Sequence, residues 1–370
     1  MIGTDIPEHL AGAVLSIDLD AICANYQILL KTLNGVPSAA VIKADGYGLG
    51  AEQVGKALAA AGCTIFFIAH VSEGVRLRAA LPNVEIHILN GLAASALDAY
   101  KEHRLVPVLG SLGEIATWKY FCADVALPCD IHVDTGMLRL GLPPAELTQI
   151  ADDPARLQGL DVRFVMSHLA SADEAGSPQN GQQLAAFRKA RAILPMGIAS
   201  FANSSGIFLG ADYHFDMARP GVALFGVNPT PEKPNPMRDV ITLNARIQQL
   251  RDAGPGDSVG YGAAYSVEKP SVIATLAVGY ADGYLRSLSN AACAIIDGIS
   301  VPLVGRVSMD LITLDVTNVA EEKRQPGQWA QMIGPGNPVD DIAARAGTMG
   351  YEILTNLGRR YHRVYTGAPT

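Results

Sequence analysis

The chain has 370 residues and a mass of 39.0 kDa, which at about 150 residues per domain leads us to expect two domains. Hydrophobic residues make up 49% and charged residues 17%, below the roughly 25% charged share of an average domain, so a disordered or low-complexity chain is excluded. Lys and Arg number 28 against 36 Asp and Glu, a net charge of −8 with no long basic run, so an electrostatic footprint for nucleic acid or an anionic membrane surface is missing.

Asp5 and Glu8 precede the first apolar run and the first Lys or Arg is Lys31, so the basic start of a secretion signal is lacking and a cytoplasmic location is expected. Uncharged stretches such as 57–72 and 195–211 are interrupted by Gly, His, Asn or Ser and fall short of a membrane span. The five cysteines (Cys23, Cys63, Cys122, Cys129, Cys293) include no C-x-x-C pair, which reads as thiols rather than a disulfide framework or a metal site.

From the N-terminus, short β-rich apolar runs alternate with helical periodicity, the pattern of a parallel sheet wound with helices. The runs are 13–19, 39–42, 64–69, 85–89, 105–108, 129–133, 161–165, 197–201 and 214–217. Helices are predicted over 20–33, where Ile22, Tyr26, Leu29 and Leu33 share a face, and over 180–193; Ser111 and Glu114 have capping-box spacing. Eight strand and helix units close a (β/α)8 TIM-type barrel, so one of the nine runs is surplus, and we assign that role to 13–19. Pro229, Pro231, Pro234 and Pro236 make a stiff break. We therefore place an α/β barrel at 1–232 and a mainly β C-terminal domain at 233–370, with the first strand a candidate to pack with the second domain. Beyond the break, strands are predicted at 243–247, 271–278 and 311–316, a hairpin at Asp297-Gly298, and one helix at 339–346.

Reactive residues of such barrels stand just past the carboxyl ends of the strands. There the sequence places Lys43 and a Gly-rich turn, then Asp134 to Arg139, Ser167 and His168, Asn203 to Gly206, and Arg219 to Val222. Each has an ordinary reading: a solvated Lys, Arg residues paired with loop carboxylates, a core imidazole. Together, a Lys beside Gly- and Ser-containing turns suits a phosphorylated cofactor or a phosphorylated substrate, and geometry alone does not choose between them.

The run VIKADGYG at 41–48 resembles the pyridoxal-phosphate lysine motif of the alanine racemases. VDTGMLRLG (133–141), SHLASADE (167–174), ANSS (202–205), RPGVALFG (219–226), YGAAY (261–265), GYADGYLR (279–286), GRVSMD (305–310) and Tyr351-Glu352-Ile353 are similar to that family in order and spacing over nearly the whole chain. The resemblance implies a barrel followed by a β-rich domain, a head-to-tail homodimer whose active sites draw on both subunits, and pyridoxal 5'-phosphate as cofactor. It further implies interconversion of L-alanine and D-alanine, through an imine between cofactor and substrate, to supply peptidoglycan or to break alanine down. No nucleic acid or membrane partner is implied.

Removing an amino acid's α-proton requires an electron sink, which the cofactor provides, and inversion requires a base on each face. By resemblance Lys43 binds the cofactor and serves the D-face, while Tyr265 of the partner serves the L-face, linked to His168 and Arg219. Arg219 faces the pyridine nitrogen; as a donor-only group it keeps that nitrogen unprotonated, which favours proton return at Cα over transamination. Tyr47, Asn203, Ser204, Gly221, Val222 and Tyr351 resemble the remaining cofactor ligands. Arg139 and the Met309 backbone resemble the substrate-carboxylate ligands, Tyr284 a gate on the access path, and Arg286 and Asp310 its polar flank. One position departs: many members carry a carbamylated Lys before V-D-T-G-M, where this chain has His132, so carbon dioxide is expected not to matter here. The readings weighed against this one are a broad-specificity or serine racemase, since one or two pocket contacts set selectivity, a decarboxylase of the same fold, a phosphosugar barrel enzyme, and a non-enzymatic pyridoxal-phosphate-binding protein, which lacks a second domain.

Overall fold

The computed structural model describes residues 6–367; the outer limits of the two expected domains, residues 1 and 370, lie outside it. The chain forms two compact units. One is Ile22–Arg238, and the other combines residues 6–21 with residues 239–367. Among the described residues no helix is long and apolar enough to cross a membrane, and none of the five cysteines is in a disulfide.

In chain order the strands are β1 (Ala13–Asp18), β2 (Ala40–Val41), β3 (Ile65–Ile68), β4 (Glu85–Ile88), β5 (Leu105–Leu109), β6 (Pro128–His132), β7 (Asp161–Met166) and β8 (Ile198–Ser200). β2 to β8 form one parallel sheet in sequence order, with helices between them at Ala51–Ala60, Val71–Ala80, Leu97–Glu102, Leu112–Phe121, Pro144–Asp152 and Pro178–Ile193. The ninth apolar run is not a strand. Residues 216–220 occupy the eighth barrel position through isolated parallel bridges, Met217 with Ser200 and Ala218 with Ser38. Hydrogen bonds from Ala39 N–H to Ala218 O (2.9 Å) and Val41 N–H to Pro220 O (2.9 Å) complete the closure. Pro220 cannot donate, which keeps the ladder short. The barrel interior is packed by Ala39, Val41, Phe67, Val108, Phe164, Met166 and Met217.

Leu19–Leu33 is the first helix, and its stripe of Ile22, Tyr26, Leu29 and Leu33 is 0–3% exposed, each side chain contributing about 1.5–3 kcal/mol by burial. Asn25, on the same helix, clamps the chain where the barrel unit ends: its amide donates to Arg238 O (3.0 Å) and its carbonyl accepts from Arg238 N–H (2.7 Å). This ties the proline-rich segment to the barrel unit. Of the capping box, only half forms. Ser111 Oγ accepts from Glu114 N–H (3.2 Å), whereas the Glu114 carboxylate accepts from Gly110 N–H (2.6 Å) and Leu92 N–H (3.0 Å).

The second unit adds β9 (Ile241–Ala253), β10 (Ser258–Val259), β11 (Tyr265–Ser266), β12 (Ser271–Leu276), β13 (Cys293–Ile296), β14 (Ile299–Pro302), β15 (Ile312–Asp315), β16 (Trp329–Ile333) and β17 (His362–Thr366). β1 belongs to its sheet, antiparallel to β9 and parallel to β17. The long β9 pairs with β1 and β16 along its first half and with β12 along its second. Asp297 (φ 49°) and Gly298 (φ 79°) make the two-residue turn between β13 and β14, the geometry that such a pair favours. Two helices, not one, lie here: Val339–Ala346 and Gly350–Asn356. The second escaped prediction because it opens on Gly, has no capping side chain and carries Ile353 and Thr355, poor helix formers.

Candidate active site

Lys43 leaves the end of β2 into a turn of opposite hand: Ala44, Asp45, Gly46 and Tyr47 all have φ between 52° and 64°. Left-handed backbone costs a non-glycine residue about 1–2 kcal/mol, so the turn must be held from outside. It closes on itself through Gly46 N–H to Ile42 O (2.9 Å) and Gly50 N–H to Asp45 O (2.8 Å). Glu73 pins it to the next strand end, accepting from Asp45 N–H (3.3 Å), Ala69 N–H (3.0 Å) and His70 N–H (3.1 Å). Lys43 is half-buried. Burial, then the positive charge of Arg139, hold its amine below the ordinary lysine range, against the pull of Glu73.

Tyr47, buried by this turn, packs its ring on Phe225 (centroids 4.7 Å apart). Its hydroxyl lies so close to Gly221 that a Cβ there would meet it at 2.3 Å; only glycine leaves that approach open. Ser204 Oγ sits in the same cradle, accepting from Gly221 N–H (2.9 Å) and Ala223 N–H (3.2 Å), beside Val222 at the start of the 3-10 turn Val222–Phe225. Asn203 supports this cradle from below: its amide donates to Leu169 O (3.3 Å) and its carbonyl accepts from Gly206 N–H (2.9 Å).

At the end of β6, Asp134 accepts from the N–H groups of Gly136, Met137 and Leu138 (2.9–3.2 Å), and the turn carries Arg139 outward. Arg139 is exposed. Past β7, Ser167 Oγ and Thr135 Oγ1 are 2.7 Å apart, and Gln183 donates to His168 O (2.9 Å), fixing the His168 backbone. Burial and the charges of Arg219 and Arg139 drive His168 well below the ordinary imidazole range and His132 down to about 4, so both are neutral at physiological pH. Arg219, 5% exposed, donates to Ser200 Oγ and Ser167 O, each at 2.5 Å. Burial lowers it to about 10, still charged.

The barrel unit thus brings Lys43, Tyr47, Arg139, His168, Asn203, Ser204, Arg219, Gly221 and Val222 to one mouth. Lys43, His132, Arg139 and Arg219 all act electrostatically on His168. Two Arg cations and a Lys around neutral imidazoles, with the Ser204 hydroxyl and backbone N–H groups at the same strand ends, make a positively charged mouth that favours an anion. A phosphate-bearing cofactor with an amine-reactive carbonyl fits these groups.

The β unit carries Tyr265, Met309, Tyr351 and Tyr284. Tyr265 is half-buried on β11, opposite Val259; Met309 and Tyr351 are 52% and 40% exposed. Tyr284 is not at an access path. It is 2% exposed, its hydroxyl lacks a hydrogen-bond partner, and burial pushes its phenol up. Tyr280, four residues earlier and 43% exposed, is the tyrosine of G-Y-A-D-G-Y that reaches solvent. Its N–H bonds Ser308 O (3.0 Å) and the next residue's bonds Met309 O (3.0 Å), which places it beside Met309. Asp310 pairs with Arg360 (2.8 Å), and Arg360 also holds Asp282 (2.9 Å).

Residues 17–229 match the family profile "Alanine racemase, N-terminal domain" and residues 240–365 match "Alanine racemase, C-terminal domain". A protein of Mesorhizobium japonicum named "Alanine racemase, catabolic" is 46% identical over 368 residues, covering 99% of this chain and 96% of its own. An alanine racemase of Methylobacterium sp. (strain 4-46) is 48% identical over 356 residues, covering 96% of this chain and 98% of its own. Among solved structures, alanine racemase from Bartonella henselae with covalently bound pyridoxal phosphate superposes with a TM-score of 0.92 at 40% identity, over 96% of this chain and all of that one. The biosynthetic alanine racemase of Pseudomonas aeruginosa gives 0.89 at 31% identity, over 96% and 100% of the two chains. Two profiles covering most of the chain, relatives close to half identical along its length and a shared fold give one conclusion: the chain belongs to the alanine racemase family.

Proposed function

We propose that the protein interconverts L-alanine and D-alanine, with pyridoxal phosphate held by Lys43, Tyr47, Ser204, Arg219 and the Gly221 and Val222 N–H groups. The observation that carries this reading is the anion-seeking mouth around the lowered amine of Lys43. When bound, the cofactor weakens the α-C–H bond of an amino acid by accepting the electron pair left behind.

The chain's own groups do the rest. Lys43, neutral more readily than a free lysine, takes or returns a proton at Cα on one face, and the Tyr265 phenol does so on the other. Neutral His168, which feels the Arg219 charge, would stand between the phenol and Arg219, and Arg219, a donor-only group, would leave a facing pyridine nitrogen unprotonated. Arg139 and the Met309 N–H orient the substrate carboxylate, Tyr351 adds to the phosphate cradle, and Tyr280 narrows the path to the site. His132, being neutral, supplies no anion to fix Arg139, in keeping with an activity that needs no carbon dioxide. A cytoplasmic enzyme is the setting we assign, and the catabolic name of the Mesorhizobium relative favours alanine breakdown over supply to peptidoglycan. Incubation with D-alanine in heavy water is the direct test. Equal enantiomers carrying α-deuterium are expected, and D-alanine recovered unchanged and unlabelled would refute the assignment.

The active unit in this reading is a head-to-tail homodimer in which Tyr265, Met309 and Tyr351 complete the partner's barrel. Tyr261, Met309, Leu311 and Met349 support it, since they leave apolar surface 44–73% exposed on the β unit, as an interface does. Random assortment of co-expressed Lys43→Ala and Tyr265→Phe chains then leaves one intact site in half of the dimers. About a quarter of wild-type activity is expected; none would show that each chain builds its own site.

A further inference from the structure

Inside the barrel, one layer below the mouth, lie two charged side chains that the reaction does not touch. His87 on β4 and Asp130 on β6 are both 0% exposed and joined by a hydrogen bond between Nδ1 and Oδ2 (2.7 Å). Asp130 Oδ1 accepts from Phe164 N–H (3.2 Å), so both carboxylate oxygens are held. The other nitrogen of His87 is 3.5 Å from Glu85, which pairs with Arg163 (2.7 Å).

A buried ion pair is a poor source of stability: desolvation offsets most of the attraction, and well-packed apolar residues commonly replace it without loss. The surroundings give this pair something else to do. Arg219 is buried, and both its hydrogen bonds go to uncharged oxygens. Among the described residues no carboxylate lies within ion-pair distance of it. Its charge shifts His132, His168 and Asp130, and of these Asp130 alone is an acid: burial pushes its carboxyl up, while His87, the Phe164 N–H and Arg219 pull it back toward the anion. The contact between them is a packed column. The Arg219 guanidinium carbon sits 5.9 Å from the Phe67 ring centroid, Phe67 stacks on His87 (4.7 Å, 26°), and Phe164 meets the edge of His87 at 5.1 Å. In a dry interior an opposite charge acts well beyond contact distance.

We infer that Asp130, anchored by His87, is a positioning residue: it supplies the counter-charge and, through the Phe67 and His87 stack, the seat that keeps Arg219 aimed at the cofactor ring. This deepens the proposed function and rests on it only in taking pyridoxal phosphate as the ligand. Without Asp130, the Arg219 cation would stand unbalanced in the barrel and would turn toward the solvated mouth, leaving the pyridine nitrogen open to protonation.

The test measures cofactor binding and absorbance rather than turnover alone. Stripped enzyme is titrated with pyridoxal phosphate, and the bound spectrum is recorded from pH 5 to 9, for wild type, Asp130→Asn, Arg219→Ala and the double variant. Asp130→Asn should weaken binding about tenfold and make the spectrum pH-dependent, with no further loss when added to Arg219→Ala, because groups acting through one another are not additive. An equal loss in both backgrounds, or none in either, overturns the proposal. Should Asp130→Asn not fold, His87→Phe, which removes the donor while filling the space, should shift binding and spectrum in the same direction, and His87→Asn, which keeps a donor, should restore both. If His87→Phe binds and absorbs like wild type, the proposal fails. Wild-type enzyme that binds cofactor but does not racemise alanine would sink the function proposed above and leave this test readable.

Discussion

Tyr265→Phe will cut racemisation by about 10²–10⁴-fold, the usual share of a general acid or base, while the visible absorbance of the lysine-bound cofactor stays. Phenylalanine keeps the ring that packs against the cluster of Val259, Val267, Ile273 and Val304, so the local fold is spared and only the hydroxyl is lost. The informative measurement separates exchange from inversion. With Lys43 intact, D-alanine in heavy water should still acquire α-deuterium and remain D. Loss of exchange and inversion together would mean that Tyr265 organises the site rather than serving one face, and wild-type turnover would end the two-base scheme.

Lys43→Ala is expected to abolish both the visible absorbance and all detectable turnover, because the same amine anchors the cofactor and serves the other face. The sign of the pH dependence follows from the environment. Burial and Arg139 lower the Lys43 pKa, so a larger neutral fraction is present at any given pH than for a free lysine. Capture of pyridoxal phosphate by the stripped wild type should therefore rise with pH and level off below the ordinary value of 10.5. A plateau at or above that value would contradict the geometry. A Lys with a depressed folded-state pKa opposes folding at every pH below its unfolded value, since the unfolded chain takes up the proton more readily. Stripped Lys43→Ala should accordingly melt at or above the wild-type temperature at neutral pH.

The barrel was readable because its strands carry continuous apolar runs and its reactive groups follow them at once; Lys43 after 39–42 and His168 after 161–165 needed no distant information. The eighth position was misread as a strand because Phe215 and Met217 alternate with His214 and Asp216, while the pairing actually falls on residues 216–220, ending at a proline. Tyr284 was misplaced for a related reason. Two tyrosines four residues apart, one opening the 3-10 turn Tyr280–Asp282 and one just past it, look alike in sequence, and burial alone tells them apart. The His87 and Asp130 pair left no signal either, since Asp130 lies two residues before His132 in what reads as an apolar strand. Its partner is 43 positions away.

The placement of β1 has a consequence for biosynthesis. Residues 13–18 form the strand next to the edge of their sheet, between β9 and the outermost strand β17, residues 362–366. The whole barrel unit is therefore an insertion between two pieces of the β unit. A ribosome releases the barrel's 22–238 before either strand that flanks β1 exists; β9 follows at once, but β17 is the last strand made, so the outer edge of β1 must wait with unpaired N–H and C=O groups until the end of the chain. Such an edge is a template for unwanted pairing, and contacts this distant along the chain form slowly. The sheet of the β unit is the part of this molecule whose assembly most needs protection in the cell.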